Sequence, residues 1–139
     1  MNFRYRAAFT FAFVLASPAS YACGYCIEDR IASVYDHAMV SQALARKHRV
    51  VFFAINGPLA ANSGAQQTIA RIASSGKGVD PGSARVAIET AALAVALDPR
   101  AKPLASVEAS LQSKFALKGL SVQRLRVIDK PGELKLAQP

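Results

Sequence analysis

Ser83-Ala84-Arg85-Val86-Ala87-Ile88-Glu89-Thr90-Ala91-Ala92-Leu93-Ala94-Val95-Ala96-Leu97 is the stretch on which the fold turns. Its alanine content would suit one helix. Val86 and Ile88, and then Leu93, Val95 and Leu97, nevertheless alternate at period two, which favours two strands. Asp98-Pro99 closes the second of them. Upstream, Arg49-Val50-Val51-Phe52-Phe53-Ala54-Ile55 is a β-branched and aromatic run stopped by Asn56-Gly57-Pro58, and it reads as a strand buried on both faces. Between these strands, Ala65, Ile69, Ile72 and Ala73 form one helical stripe that ends at Gly76-Lys77-Gly78, with a turn at Asp80-Pro81-Gly82. After Pro103, the residues Leu104, Val107, Leu111, Phe115 and Leu117 mark a second amphipathic helix ended by Gly119, and residues 122–128 form a last strand.

The order after residue 48 is therefore βαββαβ, an α+β ferredoxin-like plan with an antiparallel sheet. In that plan the first and third strands are central and the second and fourth are edges. The polar pattern agrees, because residues 50–55 and 93–97 are apolar on both parities. Arg85 and Glu89, and Arg124 and Arg126, instead give the other two strands a wet face; Arg124 and Arg126, two apart, are expected to face the same way. Two helices cover one side of such a sheet. Residues 26–46, with Ile27, Ile31, Val34, Ala38 and Ala45 at helical spacing, read as an additional N-terminal helix. It is expected to cover part of the other side, over Ala92, Ala94 and Ala96.

The chain has 139 residues, enough for one small domain and too few for two cores. Residues 1–22 combine Arg4 and Arg6, an apolar run from Ala7 to Ala16, and a small-residue stretch ending at Ala22, which reads as a cleaved secretory signal. The apolar run is too short to span a bilayer, where about 20 residues are needed. The remaining chain is expected to be periplasmic or secreted and not transmembrane. Loss of Arg4 and Arg6 lowers the formal charge from +8 to +6, and in an exported protein that charge does not imply a nucleic-acid partner. The expected division is a signal over residues 1–22, a CxxC and helix over 23–48, the ferredoxin-like domain over 49–128 and a loose tail over 129–139.

Val86 to Ile88, then Leu93 to Leu97 ending in Asp98-Pro99, then Leu104, Val107 and Leu111 before Gly119-Leu120, resemble the second half of heavy-metal-associated domains, the small modules of copper chaperones and metal-transport ATPases. The resemblance covers roughly residues 49–128 and implies the fold. That family carries a metal-binding CxxC in the loop after its first strand. The corresponding stretch here, Ile55-Asn56-Gly57-Pro58-Leu59-Ala60-Ala61-Asn62, has no cysteine, so those ligands do not carry over.

The sharp chemical signal lies elsewhere, in Cys23-Gly24-Tyr25-Cys26 at the start of the N-terminal helix. A CxxC brings two sulfurs close enough for one disulfide or one metal ion, and a helix N-terminus favours a thiolate. Two thiolates suit a soft, low-coordinate ion such as Cu(I) better than zinc, which usually takes four ligands. Cleavage after Ala22 would add the α-amino nitrogen of Cys23. The leading expectation is thus a metal-binding protein for transport or sensing, with Cys23 and Cys26 as ligands and a metal-transport protein as a possible partner. One alternative is a thiol-disulfide protein, since Cys-Gly-Tyr-Cys resembles the active-site tetrapeptide of periplasmic disulfide isomerases. The other is an interaction module in which the two cysteines form a structural disulfide. His37, eleven residues after Cys26, would lie about 16 Å along a continuous helix, too far to share an ion. Met39 reads as packing, Arg46-Lys47-His48-Arg49 as a helix C-terminus. No catalytic residue beyond the cysteines is drawn from the sequence, and enzymatic activity is not expected.

Overall fold

The computed structural model describes residues 26–133. In chain order the elements are α1 (Ile27–Val34), α2 (His37–Ala45), β1 (Arg49–Asn56), α3 (Ser63–Ser74), β2 (Arg85–Ala87), β3 (Ala92–Leu97), α4 (Leu104–Ala116) and β4 (Ser121–Ile128). The ambiguous alanine-rich stretch is two strands. They form one antiparallel sheet in the order β2-β3-β1-β4, so β1 and β3 are central and β2 and β4 are edges, as the polar pattern requires.

Both faces of the central pair are covered. Val51, Phe53 and Ile55 of β1 and Leu93, Val95 and Leu97 of β3 pack against Ile69 and Ala73 of α3 and Val107, Leu111 and Phe115 of α4. The alternate residues Val50 and Phe52, with Ala92, Ala94 and Ala96, pack against Ile31, Val34, Met39, Val40 and Ala43 from α1 and α2. The small alanines let the N-terminal helices approach the sheet closely, as anticipated.

The expected single N-terminal helix is in fact two. Tyr35 and Asp36 are extended, and the Asp36 carboxylate accepts a hydrogen bond from the Met39 backbone N–H at 3.1 Å. An aspartate in that role starts a helix rather than continuing one. The break lets α2 fold back over the sheet, so each short helix contributes its own buried residues to the second core.

A second departure concerns β4. Phe52 pairs with Arg126 and Phe53 with Arg124, which leaves Leu125 as an extra residue in a β-bulge. A bulge changes the parity of the strand beyond it. Arg124 and Arg126 therefore point to opposite faces, not the same one. Arg124 reaches Glu108 of α4 at 3.2 Å, and Arg126 reaches Glu28 of α1 on the other side. Leu117, expected in the apolar stripe of α4, is 86% exposed because the helix has already begun to turn out.

Two helices end in the same bonding pattern with different residues at the turn. After α4, Gly119 has φ of +70°, its N–H bonds to the Ala116 carbonyl at 3.0 Å, and the Leu120 N–H reaches the Phe115 carbonyl at 3.1 Å. After α2, Lys47 takes that place at φ +62°, with its N–H on the Leu44 carbonyl at 3.0 Å and the His48 N–H on the Ala43 carbonyl at 2.9 Å. These are paired Schellman bonds, whose turn residue is usually glycine. Lys47 is exposed, so its side chain offers no packing in exchange for the strain. Replacing Lys47 with Gly should raise stability by about 1 kcal/mol, and Gly119→Ala should lower it by a similar amount. Urea unfolding of the two variants checks both signs.

Candidate metal centre

Cys26 is the N-cap residue of α1, with extended backbone (φ −61°, ψ 163°), and its side chain makes no capping hydrogen bond. Its carbonyl accepts the first helical bond, from the Arg30 N–H at 3.1 Å. The side chain is exposed. Open N–H groups of the first turn and the helix dipole both favour negative charge at this point, and Glu28 and Asp29 oppose it from within the same turn. Cys23 lies outside the described residues.

Arg126 offsets part of that opposition. Its guanidinium forms a two-pronged contact with the Glu28 carboxylate, one arm of which is Nη1 to Oε2 at 3.2 Å. This ties the first turn of α1 to β4. Paired N–H groups match the two carboxylate oxygens, an arrangement that fixes orientation as well as charge. The Leu125 bulge is what turns Arg126 toward α1, so the strand irregularity anchors the helix that carries Cys26.

The other sequence candidates fall away from Cys26. His37 is exposed at the start of α2, beyond the helix break, with Nε2 3.5 Å from the Ser41 hydroxyl. Met39 is 6% exposed and packs in the second core. The Asp36 carboxylate serves the Met39 N–H and the Arg85 Nε, the latter at 2.8 Å. Those two contacts, the backbone N–H first, hold its carboxyl below the usual carboxylate range. Among the described residues, no group of three or more His, Cys, Asp and Glu side chains is arranged to hold a metal ion.

The basic run after α2 divides into separate roles. Arg46 Nε donates to the Gln42 carbonyl at 3.3 Å, as a helix C-terminal cation should. His48 instead turns inward and is 8% exposed, with Nδ1 2.8 and 2.9 Å from the two oxygens of Asp80, which is 7% exposed. An ionised carboxylate can only accept, so Nδ1 carries the proton. The Nε2 side faces Asp98, 3.7 Å away. Asp98 is held below the usual carboxylate range chiefly by the Arg100 backbone N–H. Ser83 completes the corner, donating to the Asp80 carbonyl at 2.7 Å and accepting from the Ala96 N–H at 3.1 Å.

Sequence reasoning missed this cluster. Asp80 and Asp98 each precede a proline and read as turn residues, and nothing local links either of them to a histidine 32 or 50 positions earlier. The direct His48–Asp80 bond leaves no space for an ion between them, so the cluster is a structural lock joining the start of β1 to the loops before β2 and after β3. His48→Ala should cost about 2–3 kcal/mol, because it strands a buried carboxylate. The double variant His48→Ala, Asp80→Ala should cost less than the sum of the single changes, which a double-mutant cycle by denaturant unfolding measures.

No protein-family model matches the chain, and no curated protein matches it. Among solved structures, oxidized MerP from Ralstonia metallidurans CH34 is similar at 19% identity, covering 55% of this chain and 96% of that one with a TM-score of 0.44. A copper binding domain from HMA7, a P-type ATPase, is similar at 15% identity, covering 57% of this chain and 96% of that one with a TM-score of 0.46. The ferredoxin-like assignment rests on the strand order and connections described above. Among the described residues no helix is long and apolar enough to cross a membrane.

Proposed function

We propose that this chain binds a soft transition-metal ion, Cu(I) foremost, through Cys23 and Cys26, and serves in metal transport or sensing outside the cytoplasm. The observation that carries the reading is the exposed, uncapped position of Cys26 at the head of α1. Thiolates there gain from the helix N-terminus, and a second sulfur three residues earlier completes a two-coordinate donor set of the kind Cu(I) accepts. Residues 1–22 act as the export signal, so that Cys23 begins the mature chain and its α-amino nitrogen stands beside its sulfur. A metal-transport protein is the partner this chemistry suits, since an exposed pair of thiolates can pass an ion by ligand exchange.

The mature, reduced protein should bind one Cu(I) per chain in competition with a chromophoric chelator, and the Cys23→Ser, Cys26→Ser variant should lose that binding. Each single substitution should also remove most of the affinity. Failure to compete would overturn the metal reading. The reduction potential of the cysteine pair would then separate a redox thiol from a permanent disulfide.

A further inference from the structure

Three chain segments meet at the end of the sheet where β1 begins. Leu97 of β3 pairs there with Arg49 of β1 and bridges to Val79 of the α3–β2 loop, and the Asp98 N–H donates to the Gly78 carbonyl at 2.9 Å. His48 adds the third segment, its ring set between Asp80 and Asp98. The lock described above therefore gathers the α2–β1 turn, the α3–β2 loop and the β3–α4 loop onto one surface.

The charge of that surface is one-sided. The three segments, with Arg49 at the head of β1, carry Arg46, Lys47, Arg49, Lys77, Arg100 and Lys102 against two carboxylates, Asp80 and Asp98. Both acids are engaged inside the lock. Asp80 is buried against His48, and Asp98 accepts from the Arg100 backbone N–H and Nε at 2.9 and 3.2 Å. The cations stand outside it, with Arg46, Lys47, Lys77 and Arg100 exposed and Arg49 and Lys102 half-buried. Among the described residues, Arg100 alone of the six has a carboxylate within ion-pair distance. The segment after β4 adjoins this end through the pairing of Ile128 with Val50. It sets Asp129 and Glu133 against Lys130, which lowers the net positive charge by one and does not cancel it. At the other end of the sheet, about 25 Å away along β1, the described loops hold only Glu89 and Lys118 as charged residues.

Shape selects the kind of anion. The clefts beside α2, β2 and α4 contain none of the six cations, and the small cleft at Asp80 takes Arg46 alone. The cations crown turns instead of lining a pocket, so they suit an extended array of anions and not an enclosed small molecule. The large apolar side chains that are exposed, Ile27 and Leu117, lie outside this surface, so nothing on it would enter hydrocarbon. We infer that this basic end docks the protein on the surface of an anionic phospholipid bilayer, by attraction to headgroup charge and without insertion. The choice of a bilayer over a nucleic acid rests on the export proposed above, whereas the metal reading plays no part in it.

Co-sedimentation of the reduced, metal-free mature chain with vesicles tests this. At low salt the protein should bind vesicles of phosphatidylcholine mixed with phosphatidylglycerol and not those of phosphatidylcholine alone. It should be released at about 1 M salt, where the screening length falls to about 3 Å. A basic residue near an anionic bilayer strengthens binding by about fivefold, so Lys77→Gln should weaken it by that factor and Lys47→Gln, Lys77→Gln and Lys102→Gln together by about a hundredfold. Lys118→Gln removes the same charge at the far end, beyond the screening length of about 10 Å at 0.1 M salt, and should leave binding unchanged. The Cys23→Ser, Cys26→Ser variant should bind vesicles like the parent, which keeps this result separate from that of the metal titration. Equal binding to phosphatidylcholine vesicles, no binding at low salt, or a loss for Lys118→Gln as large as that for Lys77→Gln would each overturn the proposal. Full displacement by poly-glutamate or duplex DNA at matched charge would overturn it too, assigning the surface to an acidic protein or to a nucleic acid.

Discussion

The pairing of β1 with β3 is the constraint on which the rest of this structure depends. Six successive residues of β1, from Val50 to Ile55, and all six of β3 are buried. A strand points alternate side chains to opposite faces, so a pair with no polar residue on either parity has to be covered on both sides. A bare βαββαβ unit covers only one. The N-terminal helices are therefore part of the core and not an appendage to it. Their apolar residues meet Val50, Phe52 and the three alanines of β3, while the cysteine-bearing end of α1 is tied down by the Glu28–Arg126 contact.

The same constraint explains the polar devices around the sheet. With both faces apolar, specificity of register and orientation falls to a few charged contacts at the margins. The bulge at Leu125 sends Arg124 to α4 and Arg126 to α1, so one edge strand is tied to both helical layers. At the start of β1, His48 and Asp80 close a corner where three loops converge. Half-exposed ion pairs contribute little stability singly. Their value lies in fixing which helix sits where, and the buried His48–Asp80 pair adds the greater energetic share.

Much of this architecture was legible in the sequence. The period-two pattern of residues 86–97 outweighed its alanine content, and the contrast between two-sided and one-sided strands placed β1 and β3 at the centre. The alanines of β3 marked where a helix would lie. What was not legible had physical reasons. The helix break hides in Asp36, a residue that fits a first turn as easily as an exposed interior position until its bond to the Met39 N–H is seen. The bulge leaves no trace in composition, so the parity of Arg124 and Arg126 was inverted for one of them. His48 and Asp80 meet only through tertiary folding. The metal-ligand expectation was legible as a motif alone, because its first cysteine precedes the described residues.

The sheet has two cores, and the N-terminal helices α1 and α2 build the second. Phe52 and Phe53 test it most directly, as adjacent residues that are 0% and 1% exposed and point to opposite faces. Denaturant unfolding of Phe52→Ala and Phe53→Ala should show losses of comparable size, about 3–5 kcal/mol each. A large loss for Phe53→Ala beside a loss under about 1 kcal/mol for Phe52→Ala, the range of an exposed site, would contradict it. The face under α1 and α2 would then be a covered surface and not a core.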